Sequence, residues 1–297
     1  MRIHWKFTKD DEKVIQDLYE SLKSDDLVQD RLKWCETPSA RPPYSRERFW
    51  QAMVSCLLTT QQRSGRSAPI SKITDSTPFP LDLRTCENQG DCQNFVAGML
   101  KAIPGIRLYN VVAKHSATNL HKLHCGLWSD VDERFRNLRA NDTKDAERNV
   151  AGFLDDRLNG FGPKQARNLL LRFGLAKHAV LLDSRVSQWL NSHGFPVHVS
   201  PAMLQDGTCY NFIEDGVREM CAAASIYPIV LDGLIFIAAE TKPSPGARLP
   251  SEQQSRQSPP RQDSRTGYAD TGARESASPC GRPTTDAQAR KELKRKV

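Results

Sequence analysis

Long apolar runs are missing from this 297-residue chain, and none reaches the roughly 18 residues that a membrane-spanning helix needs. The amino-terminal MRIHWKFTKDDEK likewise lacks the apolar stretch of a secretion signal. These absences predict a soluble, cytosolic protein with no membrane partner. Metal-binding cysteine pairs are missing too. Eight cysteines stand at 35, 56, 86, 92, 125, 209, 221 and 280 without a Cys-x-x-Cys among them. Neither a zinc ribbon nor a cysteine-rich iron–sulfur cluster is therefore indicated, and reduced thiols are expected. Strand-like alternation is absent, as is any repeat of fixed period, which leaves an all-α fold.

What charge there is lies unevenly. The net charge is +7, but residues 241–297 hold 12 Lys and Arg against 6 Asp and Glu, so +6 belongs to that stretch. The same stretch is rich in Ser, Pro, Gly and Gln and nearly free of large aliphatics, so it cannot bury enough surface to offset its ordering entropy. We read 243–297 as a disordered basic tail. Such a tail either raises non-specific affinity for a polyanion through counterion release or is an extension without that role. The remainder, 1–242, is close to neutral and long enough for a sizeable core.

Helical periodicity fills that remainder. SRERFWQAMVSCLL offers Ser45 as a cap, then Phe49, Met53 and Leu57 with Trp50, Val54 and Leu58 alongside, one wide apolar face. DCQNFVAGMLKAI stops before Pro104, RLYNVVAKHSATNLHKL repeats the spacing, and TKDAERNVAGFLDDRL offers Thr143 as a cap. TCYNFIEDGVREMCAAASI and VLDGLIFIAAE complete the set. The segment 63–92 is rich in turn formers and predicts a surface loop with short helical turns. Trp34, Trp50, Phe153 and Phe212 are expected in the core, or one of them in a pocket.

The chemistry concentrates at LNGFGPKQARNLLLRFG, residues 158–174. Gly160 and Gly162 flank Phe161 and permit a tight turn, while Pro163 suits a first helical position because it has no amide hydrogen to orphan. The result is a helix-hairpin-helix over about 150–174, whose exposed amides at a helix start form a site for a phosphate oxygen. A merely structural αα-hairpin is the plain alternative. The next eight residues, LAKHAVLL, span up to roughly 26 Å when extended, enough to return the chain to the start of that helix. Asp183 then follows, so a carboxylate can lie near the amine of Lys164. Taken singly, Asp183 is a helix cap and Lys164 a solvated charge.

Gly160-Phe161-Gly162-Pro163-Lys164 with Asp183 at plus 19 resembles the helix-hairpin-helix superfamily of DNA base-excision glycosylases, which includes endonuclease III and the 8-oxoguanine DNA glycosylases. FWQAMVSCLLTTQQ is similar to the family's early helix ending in a Gln-containing turn, and GIRLYNVVAKHSATNL to a further helix. The resemblance spans about 45–190. It implies a two-lobed all-α fold over 1–242 with the hairpin at the cleft between lobes, and a monomer acting on duplex DNA that carries a damaged or modified base. It further implies a nucleoid association if the source is bacterial. Lysine at 164 resembles the bifunctional glycosylase and abasic-site lyase branch: Lys164 becomes the Schiff-base nucleophile and Asp183 the stabilising carboxylate. Gly160, Phe161, Gly162 and Arg167 are then expected at the DNA backbone, and Gln61 or Gln62 in the gap left by an extruded base. Members resembling endonuclease III carry four cysteines after the catalytic Asp, whereas only Cys209, Cys221 and Cys280 follow Asp183. No cofactor and no metal are expected.

Alternatives stay open at this stage. A monofunctional enzyme would use Asp183 to activate water, on damaged bases or on modified bases of foreign DNA. A non-catalytic module would use the hairpin for backbone contact alone. HKLHC and HGFPVH bring histidines together without the spacing of a zinc site. The acidic pairs Asp155-Asp156 and Glu214-Asp215 read as solvated helix faces.

Overall fold

Helix caps set the frame of the molecule. The computed structural model describes residues 4–60 and 68–241, so Gln61, Gln62 and the tail 243–297 lie outside the described residues. Helices α1 (Lys9–Leu22) and α2 (Asp26–Glu36) start on Thr8 and Asp25, whose side chains accept amide hydrogens of the first turn. In α3 (Arg46–Leu58) the cap is Ser45, accepting from the Arg48 amide at 3.2 Å. Phe49, Trp50, Met53, Val54 and Leu57 of α3 are at most 2% exposed. Each such side chain contributes about 1.5–3 kcal/mol on burial, which makes α3 the axis of the larger core.

The stretch after residue 68 departs from the expected surface loop. It does hold two short helices, α4 (Ser71–Thr74) and α5 (Leu83–Glu87). Yet Ile70, Ile73, Phe79, Leu81 and Leu83 are buried, and Trp50 Nε1 donates to the Leu81 carbonyl at 2.7 Å. Its apolar side chains dock one by one between turns, so no helical period marks them as core. Then come α6 (Cys92–Lys101), α7 (Tyr109–Lys122) and α8 (Trp128–Ala140), with α7 and α8 separated by a kink at Cys125 and Gly126. Next, α9 (Lys144–Arg157) is capped by Thr143 as its sequence predicts. Helices α10 (Pro163–Leu171), α11 (Ser184–Ser192), α12 (Gly207–Ala223) and α13 (Pro228–Thr241) complete the order. The described residues contain no strand, and no single described helix is long and apolar enough to cross a membrane.

Buried apolar side chains fall into two clusters. The larger gathers residues of α2 to α10, and the smaller joins Ile15 of α1 to α11, α12 and part of α13. Two elements run along the seam. In the segment before α11, Ala179 and Leu181 enter the larger cluster while Val180 and Leu182 enter the smaller, the period of two expected of extended chain. Likewise, α13 gives Val230 and Leu234 to one cluster and Leu231 and Ile235 to the other. Of the expected core aromatics, Trp50 is fully buried, while Trp34, Phe153 and Phe212 are half-buried.

Candidate active site

A tight turn joins α9 to α10. Gly160 holds φ +80, and a Cβ there would lie 2.6 Å from the His115 ring and 2.8 Å from the Leu57 side chain. Only glycine satisfies both demands. From α7, fully buried Asn119 grips the turn at both ends of one residue: Asn159 N donates to its Oδ1 at 2.7 Å, and its Nδ2 donates to the Asn159 carbonyl at 3.0 Å. Phe161, expected at DNA, packs half-buried against the larger core, so its ring anchors the turn. Gly162 is the α10 cap and brings no side chain to it. The first-turn amides, those of Lys164 and Gln165 among them, therefore have no acceptor within the helix.

The helix and its sequel deliver the two expected catalytic groups to one place. Gly174, at φ +64, ends the α10 turn, with Leu175 N donating to the Leu170 carbonyl at 3.0 Å and Gly174 N to the Leu171 carbonyl at 2.9 Å. The chain then returns in extended form. Lys164, second residue of α10, and Asp183, the cap of α11, both line a cavity of about 610 Å³. Asp183 is thus a cap and a cavity residue at once. Its Oδ1 accepts from the Arg185 and Val186 amides at 2.9 and 3.1 Å, and its Oδ2 from the Arg185 guanidinium at 2.7 and 3.1 Å. The same guanidinium lies 4.4 Å above the ring of Phe236, an aromatic side chain on the cavity wall.

A second carboxylate stands beside them. Asp232 of α13 lines the cavity, pairs with Arg31 at 2.7 Å and accepts from Leu181 N at 3.2 Å. Burial holds its carboxyl above the usual carboxylate range, against the pull of Arg31; Asp183 adds to the rise and Lys164 opposes it. Asp232 thus feels Arg31, Asp183 and Lys164 within the same wall.

Two expectations change here. Arg167 is 4% exposed: its Nε and Nη2 donate to Glu214 at 2.7 and 3.0 Å, its Nη2 to Asn211 Oδ1 at 2.7 Å and its Nη1 to the Pro163 carbonyl at 2.9 Å. It is an interior residue whose guanidinium is engaged within the chain, not the exposed backbone contact expected. Its spacing along α10 gave no warning, because the partner comes from α12, far along the chain. The Glu214-Asp215 pair is not a solvated face either. Glu214 is 0% exposed and also pairs with Arg218 at 3.0 Å.

Several further groups at the site lie outside the hairpin motif. Asp232 was visible as the one charge inside the apolar VLDGLIFI, a pattern that marks a buried, paired carboxylate. Arg185, two residues from Asp183, was likewise within view. Asn119 and Tyr210 left no local signal. Gln165, next to Lys164, donates to Thr60 Oγ1 at 2.9 Å and ties the end of α3, just before Gln61, to α10. Among the described residues no three His, Cys, Asp or Glu side chains converge as a metal site.

No protein-family model matches the chain, and no curated protein matches it significantly. Solved structures do. The 8-oxoguanine DNA glycosylase of Thermotoga maritima aligns with a TM-score of 0.56 at 18% identity, over 79% of this chain and 98% of that one. The 8-oxoguanine glycosylase/lyase of Methanocaldococcus jannaschii, in complex with 15mer DNA containing 8-oxoguanine, aligns with 0.55 at 16% identity, over 77% and 98%. A further structure of the Methanocaldococcus jannaschii 8-oxoguanine DNA glycosylase aligns with 0.53 at 17% identity, over 78% and 94%. With its hairpin between α9 and α10 and its helices in two clusters, the chain has the helix-hairpin-helix DNA glycosylase fold.

Proposed function

We propose that this chain is a bifunctional DNA glycosylase and abasic-site lyase that removes a damaged or modified base, with oxidised guanine as the first substrate to test. The observation that carries the reading is the placement of Lys164 and Asp183 on the wall of one cavity of about 610 Å³, at the start of the second hairpin helix. That volume lies within the range of about 300–1,000 Å³ found for small-ligand pockets. Duplex DNA as the partner is supported by the shared fold with a glycosylase/lyase bound to 8-oxoguanine DNA. Gly162 adds a second support. Its φ of −142 is open to any residue, and a Cβ there would meet nothing within 4 Å. The fold does not require glycine at 162, whereas a phosphate closing on bare amides does.

The chemistry follows from the groups present. The nucleotide must leave the base stack, at a cost of a few kcal/mol, to bring its sugar carbon within reach. The lone pair of Lys164 Nζ attacks C1′, and the electron pair of the N-glycosidic bond leaves with the base, which takes up a proton. The Asp183 carboxylate stabilises the positive charge that develops on the sugar. Loss of an amine proton and opening of the sugar ring give the Schiff base. Removal of a C2′ proton then expels the 3′ phosphate, and hydrolysis frees the lysine. Both Asp183 oxygens are already engaged by α11 amides and Arg185. That suits a fixed negative charge better than a base taking a proton from water, and so favours the lyase reading over the monofunctional one.

The test is a duplex bearing one 8-oxoguanine, scored by mass spectrometry for released base and by electrophoresis for nicking. Wild type is expected to do both, and Lys164→Ala, correctly folded, to lose both by at least a hundredfold. Base release without nicking would select the monofunctional reading; binding with neither would select a non-catalytic module.

A further inference from the structure

The extended return segment has no strand pairing among the described residues, so its backbone groups must be satisfied some other way. Buried side chains do it. Glu147 Oε1 accepts from Lys177 N at 2.7 Å and from His178 N at 3.0 Å, and Arg218 Nε donates to the His178 carbonyl at 2.6 Å. Tyr210 O–H donates to the Val180 carbonyl at 2.8 Å and accepts from Leu182 N at 2.9 Å. Leu182 is the residue before Asp183.

Tyr210 is also linked, through Arg167, to the residue before Lys164. The Arg167 guanidinium lies 4.3 Å above its ring, and the same guanidinium donates to the carbonyl of Pro163, the residue before Lys164. Both side chains are buried, at 0% and 4% exposure. One continuous set of contacts thus runs from Pro163 through Arg167 and Tyr210 to Leu182.

We propose that Arg167 and Tyr210 are positioning residues, forming a strut that sets the separation between Lys164 and Asp183 needed for catalysis. This rests on the glycosylase reading above. Lys164 rides on a helix of the larger cluster and Asp183 caps a helix of the smaller one, so a fixed link across the seam is what their alignment requires. A misplacement of about 1 Å costs an enzyme on the order of a hundredfold in rate.

Tyr210→Phe is the sharpest probe, because it removes one hydroxyl and keeps the ring under Arg167. Tyr44→Phe is its control: Tyr44 is partly buried, its hydroxyl donates to Asp132 at 2.5 Å, and it does not line the cavity. Under saturating duplex, Tyr210→Phe is expected to lower kcat at least tenfold with KM within twofold, and Tyr44→Phe to leave both at wild-type values. Hydrogen exchange at the 180–186 amides should rise in the first variant alone. Should Tyr210→Phe fail to fold, Arg167→Lys, which keeps a charge opposite Glu214 but loses the fork and the stack, is expected to show the same kcat loss. An active wild type with an unaffected kcat in the folded variant, or an equal loss in Tyr44→Phe, overturns the strut alone. A wild type that neither excises bases nor nicks DNA overturns the glycosylase reading and the strut with it.

Discussion

Gly160 and Gly162 sit two residues apart in one turn and answer to different demands. The first is held by the fold: positive φ and the approach of His115 and Leu57 leave no room for a methyl group. Gly160→Ala should therefore lower unfolding stability by about 3 kcal/mol, from backbone strain and overpacking together, as read by denaturant titration. Gly162→Ala meets no clash in the chain and should cost about 1 kcal/mol or less. It should nonetheless weaken duplex binding several-fold, in a fluorescence anisotropy titration, by crowding the amides. Equal effects of the two substitutions on stability would contradict this division. At this scale the sequence is most legible where chemistry and backbone geometry coincide, as at Gly160, Lys164 and Asp183. It is least legible for Arg167, whose partners, buried Glu214 and half-buried Asn211, lie more than 40 residues along the chain.

Among the elements, the return segment 175–182 is the one whose position matters most and whose restraints are least local. Glu147 of α9 fixes its start, and is 1% exposed. Burial, helped by Glu214, pushes the Glu147 carboxyl up to about 8 from its ordinary 4.5, against the pull of the two amides and Arg218. The folded state then keeps a proton that the unfolded chain has lost between about pH 4.5 and 8. Stability from this group is full below that window and falls as pH rises through it, by up to about 1.4 kcal/mol per pH unit. Glu147→Gln keeps an acceptor for the two amides without the titration, so its thermal midpoint should vary less between pH 5 and 8 than that of wild type. A variant with an undiminished pH slope would place the titrating group elsewhere. Helix α9 itself, with its Thr143 cap, follows from the sequence pattern, because caps and apolar periods are local. The contacts of Glu147 do not, because extended chain pinned by side chains has no periodic signature.

For the whole molecule, the seam between the two apolar clusters is where the candidate site lies. Segment 179–182 and α13 alternate their side chains between the clusters, and the cavity with Lys164, Asp183 and Asp232 opens beside them. An all-α chain was legible from the absence of strand patterns, and the hairpin from its glycines and proline. The cavity wall was not, because it is assembled from α2, α4, α10, α11 and α13, which only the tertiary fold brings together. The most direct measurement of the central claim is borohydride trapping on duplex DNA carrying an abasic site, with peptide mapping of the product by mass spectrometry. The account predicts a covalent DNA adduct on Lys164 that is lost in Lys164→Ala. An adduct mapped to another residue, or none with protein that binds the same duplex, would contradict it.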